Sequence, residues 1–93
     1  MRASVGSIES SDLKIEIHDD SQSVQIKNMV SELEDSLVTE IIMEILERTG
    51  IAAYRPIVYF NGANRWVIES RCEALLSLLK SEHIPLLKGK DTK

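Results

Sequence analysis

The stretch 55–71, RPIVYFNGANRWVIESR, constrains the fold of this chain more than any other, because it holds three of the four aromatic residues between strong turn signals. It reads as a β-hairpin running into a helix. Residues 57–60 form the first strand and 65–69 the second, linked by Asn61-Gly62-Ala63-Asn64, where a glycine suits a tight hairpin turn. This register sets Tyr59 opposite Trp66 and Ile57 opposite Ile68. Successive strand residues point to opposite faces. One face then carries Ile57, Tyr59, Trp66 and Ile68 and is expected to lie against the helices. The other carries Val58, Phe60 and Val67, rimmed by Arg65 and Glu69.

Upstream, residues 13–17 alternate apolar and polar, the period of a half-buried strand. Residues 23–27 alternate again after a turn-like His18-Asp19-Asp20-Ser21-Gln22, which predicts a first hairpin. The rival reading folds Val24 and Ile26 into the start of a long helix. The first helix is marked by Val30, Leu33, Leu37, Val38, Ile41, Ile42, Ile45 and Leu46 at helical spacing. Ser31 and Glu34 stand in capping-box relation, Asn28 is an equally good N-cap, and Gly50 ends the helix. A second helix is expected to begin at a capping box of Ser70 and Glu73. It carries Cys72, Leu75, Leu76 and Leu79 and ends near residue 82, because Pro85 excludes helical geometry at Ile84. Ile84-Pro85-Leu86-Leu87 follows as a short apolar coda.

These elements predict an α+β two-layer sandwich, an antiparallel sheet with two helices on one face. The order is ββαββα, or βαββα if residues 23–27 belong to a helix. Residues 1–12 are Ser-rich and poor in large apolar side chains, and read as a flexible segment. Residues 13–88 form the single domain, and 89–93 a flexible tail.

Composition narrows the function. The chain has 93 residues, a net charge of −4 and one cysteine. So short a chain has little room for both a core and an enclosed catalytic pocket. No apolar run approaches the roughly 20 residues of a membrane span, and no apolar segment follows Arg2, so neither a membrane partner nor a secretory signal is expected. A lone cysteine without a disulfide framework fits a reducing compartment, hence a cytoplasmic location. Charge is uneven: residues 1–50 carry four basic and eleven acidic side chains, residues 51–93 seven and four.

Candidate chemistry is sparse. His18-Asp19-Asp20 lacks further ligands at metal-site spacing and reads as a solvated turn, so no metal is expected. Cys72 begins the apolar stripe of the second helix and lacks a recognisable base, which favours a buried structural thiol over a nucleophile. Gly62 between two strands is a turn glycine and not a phosphate loop, so no cofactor is expected. The acidic run Glu32, Asp35, Glu40, Glu44 and Glu47 reads as the solvated side of the first helix. Arg55, Arg65 and Arg71 flank the aromatic hairpin, a combination that suits single-stranded RNA or DNA.

The expectation is therefore a non-catalytic protein–protein interaction or assembly module, a small subunit or adaptor, with no catalytic residues. Its partner would be another protein or a second copy, bound through Val58, Phe60, Arg65, Val67 and Glu69. The second reading is a single-stranded nucleic-acid binder using the three arginines.

Overall fold

The computed structural model describes residues 2–81. Four strands, β1 (Ala3–Gly6), β2 (Asp12–Ile17), β3 (Gln25–Asn28) and β4 (Ile57–Asn61), form one sheet. Helices α1 (Asp35–Thr49) and α2 (Arg65–Ser81) cover one of its faces, and a 3-10 turn (Ile51–Tyr54) leads from α1 to β4. The fold is the expected two-layer α+β sandwich. Its element order is β-β-β-α-β-α, and its sheet is mixed, with strand order β1-β2-β4-β3.

Strand β2 sets the faces. Its alternation buries Leu13, Ile15 and Ile17 completely. In the antiparallel pairing Leu13 lies across from Phe60 and Ile15 from Val58, while Lys14 lies across from Tyr59 and Glu16 from Ile57. Directly paired residues point to the same side of a sheet. Val58 and Phe60 are therefore in the core, and Ile57 and Tyr59 are on the open face. This inverts the predicted faces.

The inversion follows from α2. Residues 65–69 are the first turns of that helix and not a strand. The Asn64 side-chain oxygen accepts the Val67 N–H at 2.9 Å, and the Asn64 carbonyl accepts the Ile68 N–H. Asn64 is thus the N-cap, a role that asparagine fills well. Ser70 caps nothing and sits exposed within the helix. The buried stripe of α2 is Ile68, Cys72, Leu75 and Leu79. That stripe reaches back past the predicted start, and Asn64 precedes it by four residues; this was the legible signal. With no second strand, nothing pairs Tyr59 with Trp66, and Trp66 is 78% exposed.

The first predicted hairpin also rearranges. Residues 25–28 are a strand, but β4 lies between β2 and β3, parallel to β3. A parallel pair needs a long crossover, usually a helix, and α1 supplies it. The central position goes to the apolar run of β4. The edges go to β1 and β3, and strands of only four residues suit an edge. Strand β1 lies within the segment predicted to be flexible. It pairs with β2 from Ala3↔Ile17 to Gly6↔Lys14. Its small side chains give almost no periodic signal; what recruits it is the free edge of β2.

Helix α1 starts later than its apolar stripe suggests. Val38, Ile42, Ile45 and Leu46 are buried, while Leu33 and Leu37 remain exposed. Glu34 occupies the N-cap position without a side-chain bond, so the Ser31–Glu34 box does not form. At the other end Gly50 adopts the left-handed conformation (φ 88°) that releases the chain from the helix, as predicted. The apolar coda 84–87 and the tail 89–93 lie outside the described residues.

Candidate functional site

Strand direction places five segments at one end of the sandwich. Strands β3 and β4 finish there, β2 begins there, and both helices start there. The β1–β2 turn (residues 7–11) and the β3–α1 connection (residues 29–34) close this hairpin end.

The β1–β2 turn is exposed yet heavily braced. The Ser7 N–H donates to the Leu13 carbonyl and the Asp12 N–H to the Glu9 carbonyl, both at 3.1 Å. The Ser11 N–H donates to the Asn61 carbonyl at 2.8 Å, and the Asn61 amide returns a bond to the Ile8 carbonyl at 2.8 Å. Gly6 (φ 82°) leads into the turn; a Cβ there would collide with the Leu13 carbonyl oxygen, so no other residue fits. Ser11 itself has a positive φ of 68°.

Asp12 holds the base of this turn. Its carboxylate accepts the Ser7 hydroxyl at 2.7 Å and the Arg71 guanidinium at 2.9 and 3.0 Å. Such two-pronged arginine–carboxylate pairs are the strong ones. The Arg71 bond, aided by those from Ser7 and the Leu13 N–H, pulls the Asp12 pKa down to about 2 against the opposing cost of burial. The turn is thereby tied to α2. On the turn, the Ser10 hydroxyl is exposed and engages nothing among the described residues. The reading of residues 1–12 as mobile passes over this turn. Its signal was the serine-rich turn set between Val5 and the alternation of β2.

The β3–α1 connection is organised by Asn28. Its side-chain oxygen accepts the Val30 N–H, and its amide donates to the Leu33 carbonyl and to Asp35. Leu33 and Leu37 consequently edge a cleft of about 260 Å³ that is floored by Phe60, Ala63 and Ile68. Among the described residues the exposed large apolar side chains are Ile8, Met29, Leu33, Leu37 and Trp66. All five belong to the hairpin end.

The residues predicted from sequence do not converge. Val58 and Phe60 are core, the latter 6% exposed, and Val67 is half-buried on α2. Arg65 and Glu69 join an ion network between the helices: Arg65 meets Glu44 at 2.8 Å and Glu69 at 3.7 Å, and Arg48 meets Glu69 at 2.8 Å. Arg65 holds the Glu44 carboxyl below its ordinary pKa. Arg71 is committed to Asp12, and Arg55 lies at the opposite end of the sandwich beside the 3-10 turn. The three arginines form no common stripe.

Cys72 is fully buried, and burial pushes its thiol pKa up, as expected of a structural cysteine. His18 bonds to Glu16 at 2.8 Å, while Asp19 pairs with Arg2. Among the described residues no three His, Cys, Asp or Glu side chains gather in a way that would hold a metal, and no helix is long and apolar enough to cross a membrane.

Two serine-bearing, apolar-fringed connections thus lie at one end of the sandwich. The sequence model described as "ACP: Malonate decarboxylase delta subunit (MdcD)" matches residues 1–78. The chain belongs to this family. No curated protein and no solved structure matches it.

Family membership corrects one expectation and supports another. The family is an acyl carrier protein that bears a prosthetic group within an enzyme complex, so it takes part in catalysis. The expectation of a non-catalytic module is overturned. That expectation rested on reactive groups within one chain, whereas a carrier takes part through the group it bears. The coarser expectation holds, since the chain is a small subunit whose partners are proteins.

Proposed function

We propose that this chain is an acyl carrier subunit of a decarboxylase and that the Ser10 hydroxyl anchors its prosthetic group. The support is the exposed, unengaged Ser10 on a braced turn, in a chain whose family is an acyl carrier. A carrier needs a side-chain nucleophile that a modifying enzyme reaches. Cys72 does not meet that need, being fully buried with its thiol pKa raised. At the hairpin end, Ser7 is engaged as donor to Asp12 and acceptor from the Glu9 N–H. Ser11 has its backbone fixed against Asn61 in a left-handed conformation. Ser10 lies between these fixed points with its hydroxyl in solvent.

The residues present fit such a group: an exposed hydroxyl on a turn held at both ends leaves space for a bulky substituent. When bound, the group supplies the atom on which the acyl chain is carried. The protein's own contribution is positional. The Asp12–Arg71 pair and the Asn61 bonds hold the anchor at a defined place on the sandwich, and fixing an anchor in this way raises the effective concentration of what it carries at a partner's site.

The test is mass spectrometry of the chain purified from cells that make the whole decarboxylase. A covalent adduct on the peptide containing Ser10 is expected. Ser10→Ala should lose both the adduct and turnover of the complex, with assembly intact. An adduct on another hydroxyl, Ser31 for example, or an active complex with Ser10→Ala, would overturn the assignment.

A further inference from the structure

We propose that the cleft between α1, β4 and α2 receives the group attached at Ser10, taking a slender, uncharged, apolar stretch of it. Ser10 as the anchor is taken from the carrier reading. The cleft, its lining and its distance from Ser10 are observations apart from it.

The lining comes first. Val38, Ile42, Phe60, Ala63 and Ile68 make a buried apolar floor, and Leu33 and Leu37 stand half out of it. Arg65 is the one charged residue of the lining, and its guanidinium is already met by Glu44 and Glu69. The cleft therefore offers neither sign of charge an unmet partner. What it favours is apolar surface that leaves water.

Size narrows the occupant. About 260 Å³ lies below the roughly 300–1,000 Å³ of clefts that hold a free ligand. A narrow chain fits better than a compact molecule. A tethered chain also needs little intrinsic affinity, because a short flexible link gives an effective concentration on the order of millimolar.

Reach is set by Gly62. This exposed residue has a positive φ of 93°, and a Cβ built on it would stand 3.7 Å from the Ser11 Cα and 3.9 Å from Val30 Cγ2. Ser11 follows the anchor, and Ala63 of the cleft floor follows Gly62. The Cα atoms of Ser10 and Ala63 are thus at most about 13 Å apart, two steps along the chain and one contact across it. A linear arm of about twelve bonds spans that, since three backbone bonds extend roughly 3.3–3.6 Å. The route passes over a residue without a side chain. The other depression beside the turn lies on the open sheet face, lined by Ile8, Lys14, Glu16, Met29 and Tyr59. None of those residues is buried, and the Lys14–Glu16 ion pair occupies it, so it gives an apolar arm no dry floor.

The experiment puts a known arm at position 10 of the full-length chain. Ser10→Cys is alkylated with decyl maleimide or with ethyl maleimide; Cys72, fully buried with its thiol pKa raised, is spared. Amide hydrogen exchange over residues 33–42 should be slower with the decyl arm than with the ethyl one. The expected slowing is about twofold where the intrinsic Kd equals the effective concentration, and greater where binding is tighter. Leu37→Asp should abolish the slowing; Leu37 is 50% exposed, so its replacement leaves the fold in place. Ala53→Asp at the opposite end should not change it. Equal exchange with both arms, slowing confined to the open face around Met29 and Tyr59, or slowing that depends on chain concentration would overturn the proposal. The chain purified from cells that make the whole decarboxylase is then compared with the chain expressed alone, and exchange over 33–42 should be slower where Ser10 carries its natural adduct. Slowing by the decyl arm with no natural adduct on Ser10 removes the anchor and supports the cleft as an apolar site. A natural adduct on Ser10 without slowing over 33–42 overturns the cleft and leaves the anchor.

Discussion

The two ends of the sandwich are closed by loops of similar length, but they are finished differently. At the opposite end, the β2–β3 connection is tied to the 3-10 region by the Ser21 hydroxyl donating to the Arg55 carbonyl at 2.6 Å, and Ile51 and Pro56 turn inward. Its side chains complete the core and leave a polar surface. At the hairpin end the turns are braced as well, through Asn28, Asn61 and Asp12, yet the braced loops hold apolar side chains outward. Bracing an exposed apolar loop costs conformational entropy without burying anything in the isolated chain. The contrast separates two finishes of a rigid loop: one turns its apolar side chains into the core, the other leaves them in solvent.

Three substitutions probe that contrast at the hairpin end. The largest effect is expected for Phe60→Ser, where β4 reaches the end of the core. Phe60 packs under the cleft, and truncating a buried phenylalanine costs about 3–5 kcal/mol. Urea denaturation should show a loss of that order. A midpoint close to the parent's would mean that the floor of the cleft is not core and that the two ends differ less than described.

Asp12→Asn comes next. Its carboxylate has a lowered pKa in the folded chain, chiefly through Arg71, so its ionisation stabilises the fold. That contribution is fully present above the unfolded-state pKa near 4. It is lost as pH falls through the folded value of about 2. Partial solvation of Arg71 reduces the benefit to about 1–2 kcal/mol. Stability of the parent should drop between pH 4 and pH 2 by more than that of Asp12→Asn. Parallel pH profiles would remove the turn's brace from the account.

The smallest effect belongs to Trp66→Ala. A side chain 78% exposed contributes little to the fold, and surface substitutions of this kind fall within about 0.5 kcal/mol. Calorimetry should give an almost unchanged melting temperature. A loss comparable with that of Phe60→Ser would place the tryptophan in the core.

Phe60 and Trp66 exchange roles between sequence and structure, and the reason is specific. The segment 65–69 holds a short apolar run, Trp66-Val67-Ile68, of the kind a strand uses, and its helical stripe shows only when Ile68 is joined to Cys72, Leu75 and Leu79. Once Asn64 caps a helix instead, the parity of β4 is set by β2, whose alternation is unambiguous. The candidate anchor was hidden for another reason. A single serine carries no periodicity, and Ser10 becomes distinctive only when its neighbours are seen to be hydrogen-bonded while it is not.

By itself the sequence determined the layer architecture, the stop of α1 at Gly50, the buried stripe of α2, the burial of Cys72 and the strand character of residues 13–17, because each depends on local periodicity or on one residue's conformational range. Strand order, the recruitment of β1, the faces of β4 and the placement of the exposed large apolar side chains at one end were decided by tertiary structure. Those features depend on which edges pair and where a chain reverses, and both are settled by contacts between residues far apart in sequence.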